Sequence, residues 1–269
     1  MRRSPSHPGQ SGFTIIELLV ALGIFLLVCG AAFTLLGSSQ QRYRTDSQLL
    51  TSFQEARLGV DQIVRDVNDA GYPPPTFAGA PFGFYTSAPF AWNPGYAGSA
   101  CNIGINCISP SDFDLIVETN PNPNPTDPNN FGVQWIRYVL QGSTLMRSVD
   151  NKSLGGDPMA QTSGNLAPFV QNVVNNASAA QIAQYQASYP GMFTGGVPVP
   201  VFSYICDTPT TPLPPPTLCS NAIGSDNSPK NIREVIVTLI VAAPSPDATS
   251  GQPRLVQLVG RGRRVNPNH

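Results

Sequence analysis

One acidic side chain lies inside a membrane-length apolar segment near the start of the chain. The segment covers residues 13–36, and Glu17 is its only charged side chain. Its 24 residues would span about 36 Å as a helix, enough to cross the hydrocarbon core of a bilayer. A carboxylate in hydrocarbon is costly, so such a residue predicts a function and a partner.

The residues before this segment have the opposite order from a secretory signal. Residues 1–12 carry Arg2, Arg3 and His7 and no acid. A secretory signal has its apolar core before a small-residue cleavage site, whereas here the small residue, Gly12, precedes the apolar run. We therefore interpret 1–12 as a leader that is cut after Gly12. Its positive charge predicts a cytoplasmic N-terminus and a body on the other side of the membrane.

The helical pattern continues beyond the membrane segment. Apolar residues recur at intervals of four and three, which is typical of one face of an α-helix. Gly71, followed by Tyr72 and three prolines, ends the pattern, because proline disfavours the helical conformation in the residue before it. We predict one helix with a membrane half over 13–37 and an amphipathic half over 38–70. The residues of its apolar seam are Leu49, Phe53, Ala56, Val60, Ile63 and Val67.

The helical period is lost after residue 75, and β-rich runs alternate with proline-rich linkers. Because no crossover helices separate the runs, they favour an antiparallel sheet. We predict an α+β fold in which the long helix packs on an antiparallel sheet of a body over 71–269. The linkers at 120–130 and 208–217 are predicted surface loops, and 181–189 is either a short helix or a loop. The β-rich runs are 112–118, 134–140, 145–149, 197–205, 234–242 and 255–259.

The five cysteines divide into one within the apolar segment, Cys29, and four in the body. Disulfides are permitted if the body lies beyond the inner membrane. Four cysteines allow three pairings, and we favour Cys101 with Cys107 and Cys206 with Cys219, because both segments are short and rich in turns. The alternative is a set of reduced, unrelated thiols.

Catalytic and metal-binding patterns are missing from the sequence. His7 lies in the leader and His269 is the last residue, so a histidine-dependent catalytic device has no histidine in the body. We predict no enzyme activity, no catalytic residue, no metal site and no cofactor. Asp112 and Asp114 would share one face of a strand and could bind calcium or act as paired acids; a solvated edge is the favoured interpretation.

The C-terminal region is basic and could contact DNA phosphates. A solvated end strand whose charges deter edge pairing is the favoured interpretation, and the net charge of −1 also argues against a nucleic-acid partner. The basic residues are Arg254, Arg261, Arg263 and Arg264.

Residues 12–20 resemble the N-terminus of a type IV prepilin. The shared pattern is a basic leader, a glycine before the cut, phenylalanine as first mature residue and glutamate as fifth, here Gly12, Phe13 and Glu17. The resemblance implies that a prepilin peptidase cuts before Phe13 and methylates the new amine. It also implies that Glu17 pairs with the terminal amine of a neighbouring subunit, which offsets part of the desolvation cost and sets the axial register. The alternative is a Glu17 that snorkels from an ordinary membrane anchor.

Weaker similarity extends into the body. It is closest to PilW-like minor pilins and to the J-type minor pseudopilin of type II secretion, which share a long helix and an antiparallel sheet. Their hairpin pattern Y-x-L, turn, L-x-R is matched here by Tyr138, Leu140, Leu145 and Arg147.

The resemblance implies a structural minor pilin that assembles through its N-terminal helix into a type IV pilus, at or near the tip, and primes assembly or adhesion. The implied partners are other pilin or pseudopilin subunits, the prepilin peptidase and the inner-membrane assembly platform. The implied location is the bacterial inner membrane, with the body periplasmic or extracellular, and then a pilus or pseudopilus at the cell surface. The alternatives are a minor pseudopilin of a type II secretion system and a membrane-anchored extracytoplasmic binding domain or enzyme.

Overall fold

The computed structural model shows one long helix followed by a β-rich body, so the predicted α+β class is confirmed. The predicted leader up to residue 11 and most of the two linkers, 120–130 and 208–217, lie outside the described residues. The structure describes residues 12–72, 88–93, 101, 103, 107–121, 132–153, 156–206, 217–219, 229–247 and 251–265.

The long helix, α1, spans Ile15–Asn68 without interruption. Its 54 residues correspond to about 81 Å. Thr14 caps its start: the Thr14 hydroxyl accepts from the Glu17 N–H, and the Glu17 carboxylate accepts from the Thr14 N–H at 2.9 Å. This reciprocal arrangement is a capping box. The helix ends before Gly71, which adopts a φ of 80° that glycine tolerates better than other residues.

The described residues of the body form two antiparallel sheets, where the sequence predicted one. The strands of the first sheet, β1 to β5, are Phe90–Ala91, Asp114–Thr119, Gln134–Gln141, Thr144–Asn151 and Ala167–Val170. Those of the second sheet, β6 to β9, are Phe202–Cys206, Thr217–Leu218, Ile232–Pro246 and Pro253–Arg263. The first sheet has the order β1-β2-β3-β4-β5, and the second has the order β7-β6-β8-β9.

The segment that follows β5 joins the two sheets. Val174 donates its N–H to the carbonyl of Ile240 at 2.8 Å, and this places the segment beside β8. Asn175 is fully buried at the same point. Its amide donates to the carbonyls of Val199 and Thr238, and its Oδ1 accepts from the Ile240 N–H at 2.7 Å. The Asn175 side chain therefore provides hydrogen-bond partners for buried backbone groups that have none in the sheet at this point.

Two short helices cover the outer faces of the sheets. The first, α2, spans Pro158–Thr162, and its Met159 packs on the first sheet beside Trp135. The second, α3, spans Ala179–Ser188, and Ile182 and Tyr185 pack beside β8 and β9. The ambiguous segment 181–189 is therefore helical up to residue 188.

The inner faces of both sheets pack on the C-terminal half of α1. Leu49 and Phe53 of the predicted seam are half-buried, because the body begins to cover the helix only near Thr45. Four seam residues lie in the main core, together with apolar side chains from both sheets: Ala56, Val60, Ile63 and Val67.

Two glycines let β9 approach the helix closely. A Cβ atom at Gly260 would lie 2.3 Å from Val60 Cγ1, and one at Gly262 would lie 2.6 Å from Val67 Cγ1. Both separations are far below the van der Waals contact distance between two carbon atoms, which is about 3.5–4.0 Å. The strand and the helix can therefore pack at this distance only if both positions lack a side chain.

Replacing one of these glycines tests the close packing. We expect Gly260→Ala to lower the free energy of unfolding of the full chain in detergent by about 1–3 kcal/mol, because the core must shift to admit the methyl group. Denaturant titration monitored by circular dichroism gives this quantity. Gly191→Ala is the matched control, since a Cβ there meets nothing within 4 Å. Equal stability of the two variants would contradict the packing argument.

Candidate functional site

The N-terminal half of α1 has no cover from its own body. Residues 12–44 are exposed apart from the half-buried Cys29, and Thr45 is the first buried side chain. Even Phe13 is 89% exposed. In the described part of the chain, α1 is the one helix long and apolar enough to cross a membrane. An apolar surface of this size requires lipid or other protein around it.

Glu17 lies at the start of this uncovered surface. Its Oε2 accepts from the N–H and from the hydroxyl of Thr14, at 2.9 and 3.0 Å. The positive end of the helix dipole also favours a carboxylate there. Among the described side chains, no lysine or arginine pairs with Glu17. The carboxylate is therefore positioned at the helix start, and residues 12–72 and the described parts of the body offer it no cationic partner.

Gly12 and Phe13 precede the helix and are exposed. The bond between them is therefore outside the hydrogen-bonded helix, where a peptidase can bind it in an extended form. The structure brings Gly12, Phe13 and Glu17 together within the first turn and the residues before it.

The four cysteines of the body form the two local disulfides. Cys101 and Cys107 have Cα atoms 5.3 Å apart, and Cys206 and Cys219 have Cα atoms 5.0 Å apart. Both separations are in the normal range for disulfides. Cys29 is a free thiol in the apolar half of α1.

A buried polar cluster attaches α1 to the hairpin of β3 and β4. The Tyr138 hydroxyl donates to the Asp66 carboxylate, and Arg147 donates to Tyr138 Oη at 3.0 Å and to Asp66 Oδ2 at 3.1 Å. Gln62 donates to the other Asp66 oxygen at 2.8 Å. Burial, and then the charge of Asp66, raise the pKa of Tyr138 above its usual range, so the phenol keeps the proton that it donates.

Sequence reasoning selected Tyr138 and Arg147 from the hairpin pattern but missed their partner. Asp66 lies on the helix directly before the seam residue Val67, and it is only 7% exposed. An acid beside the apolar seam of a helix was the available signal. Its usual interpretation is a solvated side chain, because burying a carboxylate requires partners that only the fold supplies.

An exposed ion pair also connects the body to α1 near Thr45, the first buried side chain of the helix. Arg254 of β9 lies 2.9 Å from Asp46 of α1 and 2.7 Å from Asp247. Arg261 lies 2.6 Å from Glu234 of the neighbouring strand. Arg254 and Arg261 thus each have a carboxylate partner within the chain.

The structure separates Asp112 from Asp114, which the sequence placed on one face of a strand. Asp114 is buried, and Arg137 donates to both of its oxygens, at 3.1 and 2.6 Å. Burial raises the pKa of Asp114, and the guanidinium opposes that shift. Asp112 precedes β2 and is exposed. No group of three or more potential ligands among the described histidine, cysteine and acidic residues could hold a metal ion.

One comparison with known proteins gives a match. The model of the prokaryotic N-terminal methylation motif matches residues 7–33. The match includes Gly12, Phe13 and Glu17 and most of the apolar segment, and it does not extend into the body. Neither the curated proteins nor the solved structures give a significant match. The chain therefore carries a type IV pilin-like signal, and the comparisons assign neither the PilW-like nor the J-type subgroup.

Removing the helix partner of the buried cluster should destabilise the attachment of the body. We expect Asp66→Ala to lower the free energy of unfolding by about 2–3 kcal/mol, because Tyr138 and Arg147 lose their shared acceptor. Denaturant titration of the full chain in detergent measures the loss. Asp61→Ala, at an exposed position of the same helix, should leave stability unchanged. A similar loss in both variants would show that the cluster has no special role.

Proposed function

We propose that this protein is a minor pilin, inserted in the bacterial inner membrane by the apolar half of α1 and then assembled into a type IV pilus at or near its tip. The observation that carries the proposal is the uncovered apolar surface of residues 13–36 with Glu17 at its start. A soluble domain would bury such a surface, and an ordinary anchor has no use for an acid at its fifth apolar position.

The methylation motif supports a defined order of events. A prepilin peptidase cuts the exposed bond between Gly12 and Phe13 and methylates the new amine of Phe13. The inner-membrane assembly platform then transfers the subunit from lipid to a bundle of similar helices. In both environments the apolar half of α1 remains covered, so the transfer needs no unfolding of the body.

Glu17 supplies the charge that selects and positions a neighbour. Among the described residues the carboxylate accepts only from neutral donors, the N–H and the hydroxyl of Thr14. A methylated terminal amine from an adjacent subunit provides the missing cation. Two charges that meet in an apolar bundle offset part of each other's desolvation, and they do so at only one axial offset between the helices.

The body supports a minor rather than a repeating subunit. In the given sequence it covers residues 71–269, and its described residues form two linked sheets, two covering helices and two disulfides. About 200 residues around one end of each helix are bulky for a close-packed shaft. A position at the tip removes this restriction and exposes the body to partners, so we assign the protein to priming of assembly or adhesion.

A minor pseudopilin of a type II secretion system would use the same helix, the same processing and the same pairing of Glu17. Deletion of the gene separates the two machines. Loss of surface pili with normal export of folded proteins supports the pilus, and the reverse phenotype supports secretion. Intact filaments and export, together with a ligand or substrate bound by the body, would favour a membrane-anchored binding domain or enzyme.

Neutralising the intramembrane acid should block assembly. We expect Glu17→Ala to reduce the amount of the protein in sheared filaments by about tenfold or more, because the pairing that sets the register is lost. The measurement is immunoblotting of sheared and membrane fractions. Asp61→Ala is the control for loss of one helix carboxylate and should assemble normally. Filament incorporation of Glu17→Ala at the normal level would overturn the proposal.

Processing can be tested separately from assembly. Mass spectrometry of the native protein should find an N-terminus at methylated Phe13. We expect Gly12→Val to keep the leader attached, since a branched side chain would occupy the position of the small residue before the cut. Gly9→Val changes a leader glycine away from the cut and should be processed. A native N-terminus at Met1 would contradict the proposed maturation.

A further inference from the structure

A short polar stretch of α1 separates the apolar segment from the body. We call residues 37–44 the neck; they follow Leu36 and precede Thr45, the first buried side chain. The neck is helical, exposed on every side and about 12 Å long. The headgroup layer on one side of a bilayer is about 5–8 Å thick. When residues 13–36 fill the hydrocarbon, residues 37–41 therefore lie at headgroup depth. The Cα atoms of Arg42 and Arg44 lie about 9 and 12 Å beyond Leu36, and their long side chains, which project toward the helix N-terminus, extend back into the headgroup layer.

The packing of the body on the C-terminal half of α1 holds this spacing constant, and polar contacts near the neck add to it. Arg254 pairs with Asp46 two residues beyond the neck, and Glu55 accepts the N–H of Gln171 at 3.0 Å. Because α1 is continuous through the neck, the body cannot slide toward the membrane without breaking these contacts. The depth of the apolar segment thus determines the height of the body.

The neck carries two cations and no anion. Arg42 and Arg44 are the only charged side chains between Glu17 and Asp46, and in the described part of the chain neither has a hydrogen bond or an ion pair. The nearest acid, Asp46, is bound by Arg254. Two residues along a helix correspond to about 200°, so the two guanidinium groups extend from opposite sides of the neck.

The residue between the two arginines fits the same environment. Tyr43 is 76% exposed, and tyrosine favours the membrane interface, where its ring meets the acyl chains and its hydroxyl meets water. The long arginine side chains can bend along the helix to reach phosphate groups while their stems stay on apolar surface.

We propose that the neck is a phospholipid-binding site, in which Arg42 and Arg44 bind phosphate groups of anionic lipids in the outer leaflet of the inner membrane. The site holds the unassembled subunit at a fixed depth. Assembly must replace these contacts when the helix leaves the bilayer. The inference rests on the membrane insertion proposed above and goes beyond it by naming the lipid chemistry and the residues.

Hydrogen–deuterium exchange of the full chain in vesicles tests the site. We compare phosphatidylglycerol with phosphatidylcholine vesicles and follow peptides from residues 15–36 and from the neck. Each arginine near an anionic surface favours binding by about fivefold. We therefore expect the neck amides to exchange at least about fivefold more slowly in phosphatidylglycerol vesicles than in phosphatidylcholine vesicles. Arg42→Gln with Arg44→Gln should remove this difference.

Arg57→Gln with Arg65→Gln is the matched control. Both residues are exposed on the same helix and begin about 20 Å beyond the neck, more than a Debye length away. This control should retain the lipid dependence. Phosphatidylcholine vesicles with added inorganic phosphate form a third arm. Equal protection there would assign the site to free phosphate and overturn the lipid proposal.

The two peptides distinguish the possible failures. In one outcome, residues 15–36 are protected in both lipids, but exchange in the neck does not change with lipid charge or with the arginine substitutions. This result overturns the neck site and leaves the membrane insertion intact. Rapid exchange of residues 15–36 in every vesicle overturns the membrane insertion itself, and the neck site with it.

Discussion

The apolar half of α1 cannot be shielded by the protein that carries it, and this constraint governs the rest of the molecule. The body covers the helix only from about Thr45 onward, so some 30 residues depend on lipid or on other helices. The apolar side chains of the body are buried within the chain itself. Those of residues 13–36 can be removed from water only by contact with lipid or with other molecules. The C-terminal half of α1 therefore stabilises the fold, and its N-terminal half is left for contacts with lipid or other molecules.

The attachment between helix and body combines packing with polar contacts. Val60 and Val67 fit against the glycines of β9 at close range, so a shift along the helix would bring them against larger side chains. Asp66 adds a second restriction, because its carboxylate must meet both Tyr138 and Arg147. Buried hydrogen-bonded groups are costly to misalign, so the polar contacts and the glycine contacts favour the same register. The junction at Asn175 connects the segment after β5 to the second sheet.

Much of the fold could be predicted because its signals are local. The period of the seam gives the helix, and the turn after Gln141 gives the hairpin of β3 and β4, whose register pairs Tyr138 with Arg147. The two-residue strands β1 and β7 have no periodicity to detect. The division into two sheets depends on which edges meet, and Asn175 resembles any other loop asparagine until its partners are known. Asp66 was missed for the same reason: its environment comes from residues more than 70 positions away.

Because α1 is continuous, a tilt of its apolar half also moves the body. A membrane helix commonly tilts by about 20°, and over a rigid length of about 81 Å that angle displaces the far end sideways by about 28 Å. The body packs on the C-terminal half of α1, so a change in the tilt of the apolar half moves the body sideways by a large part of that distance. The lateral position of the body can thus change without any change in its conformation.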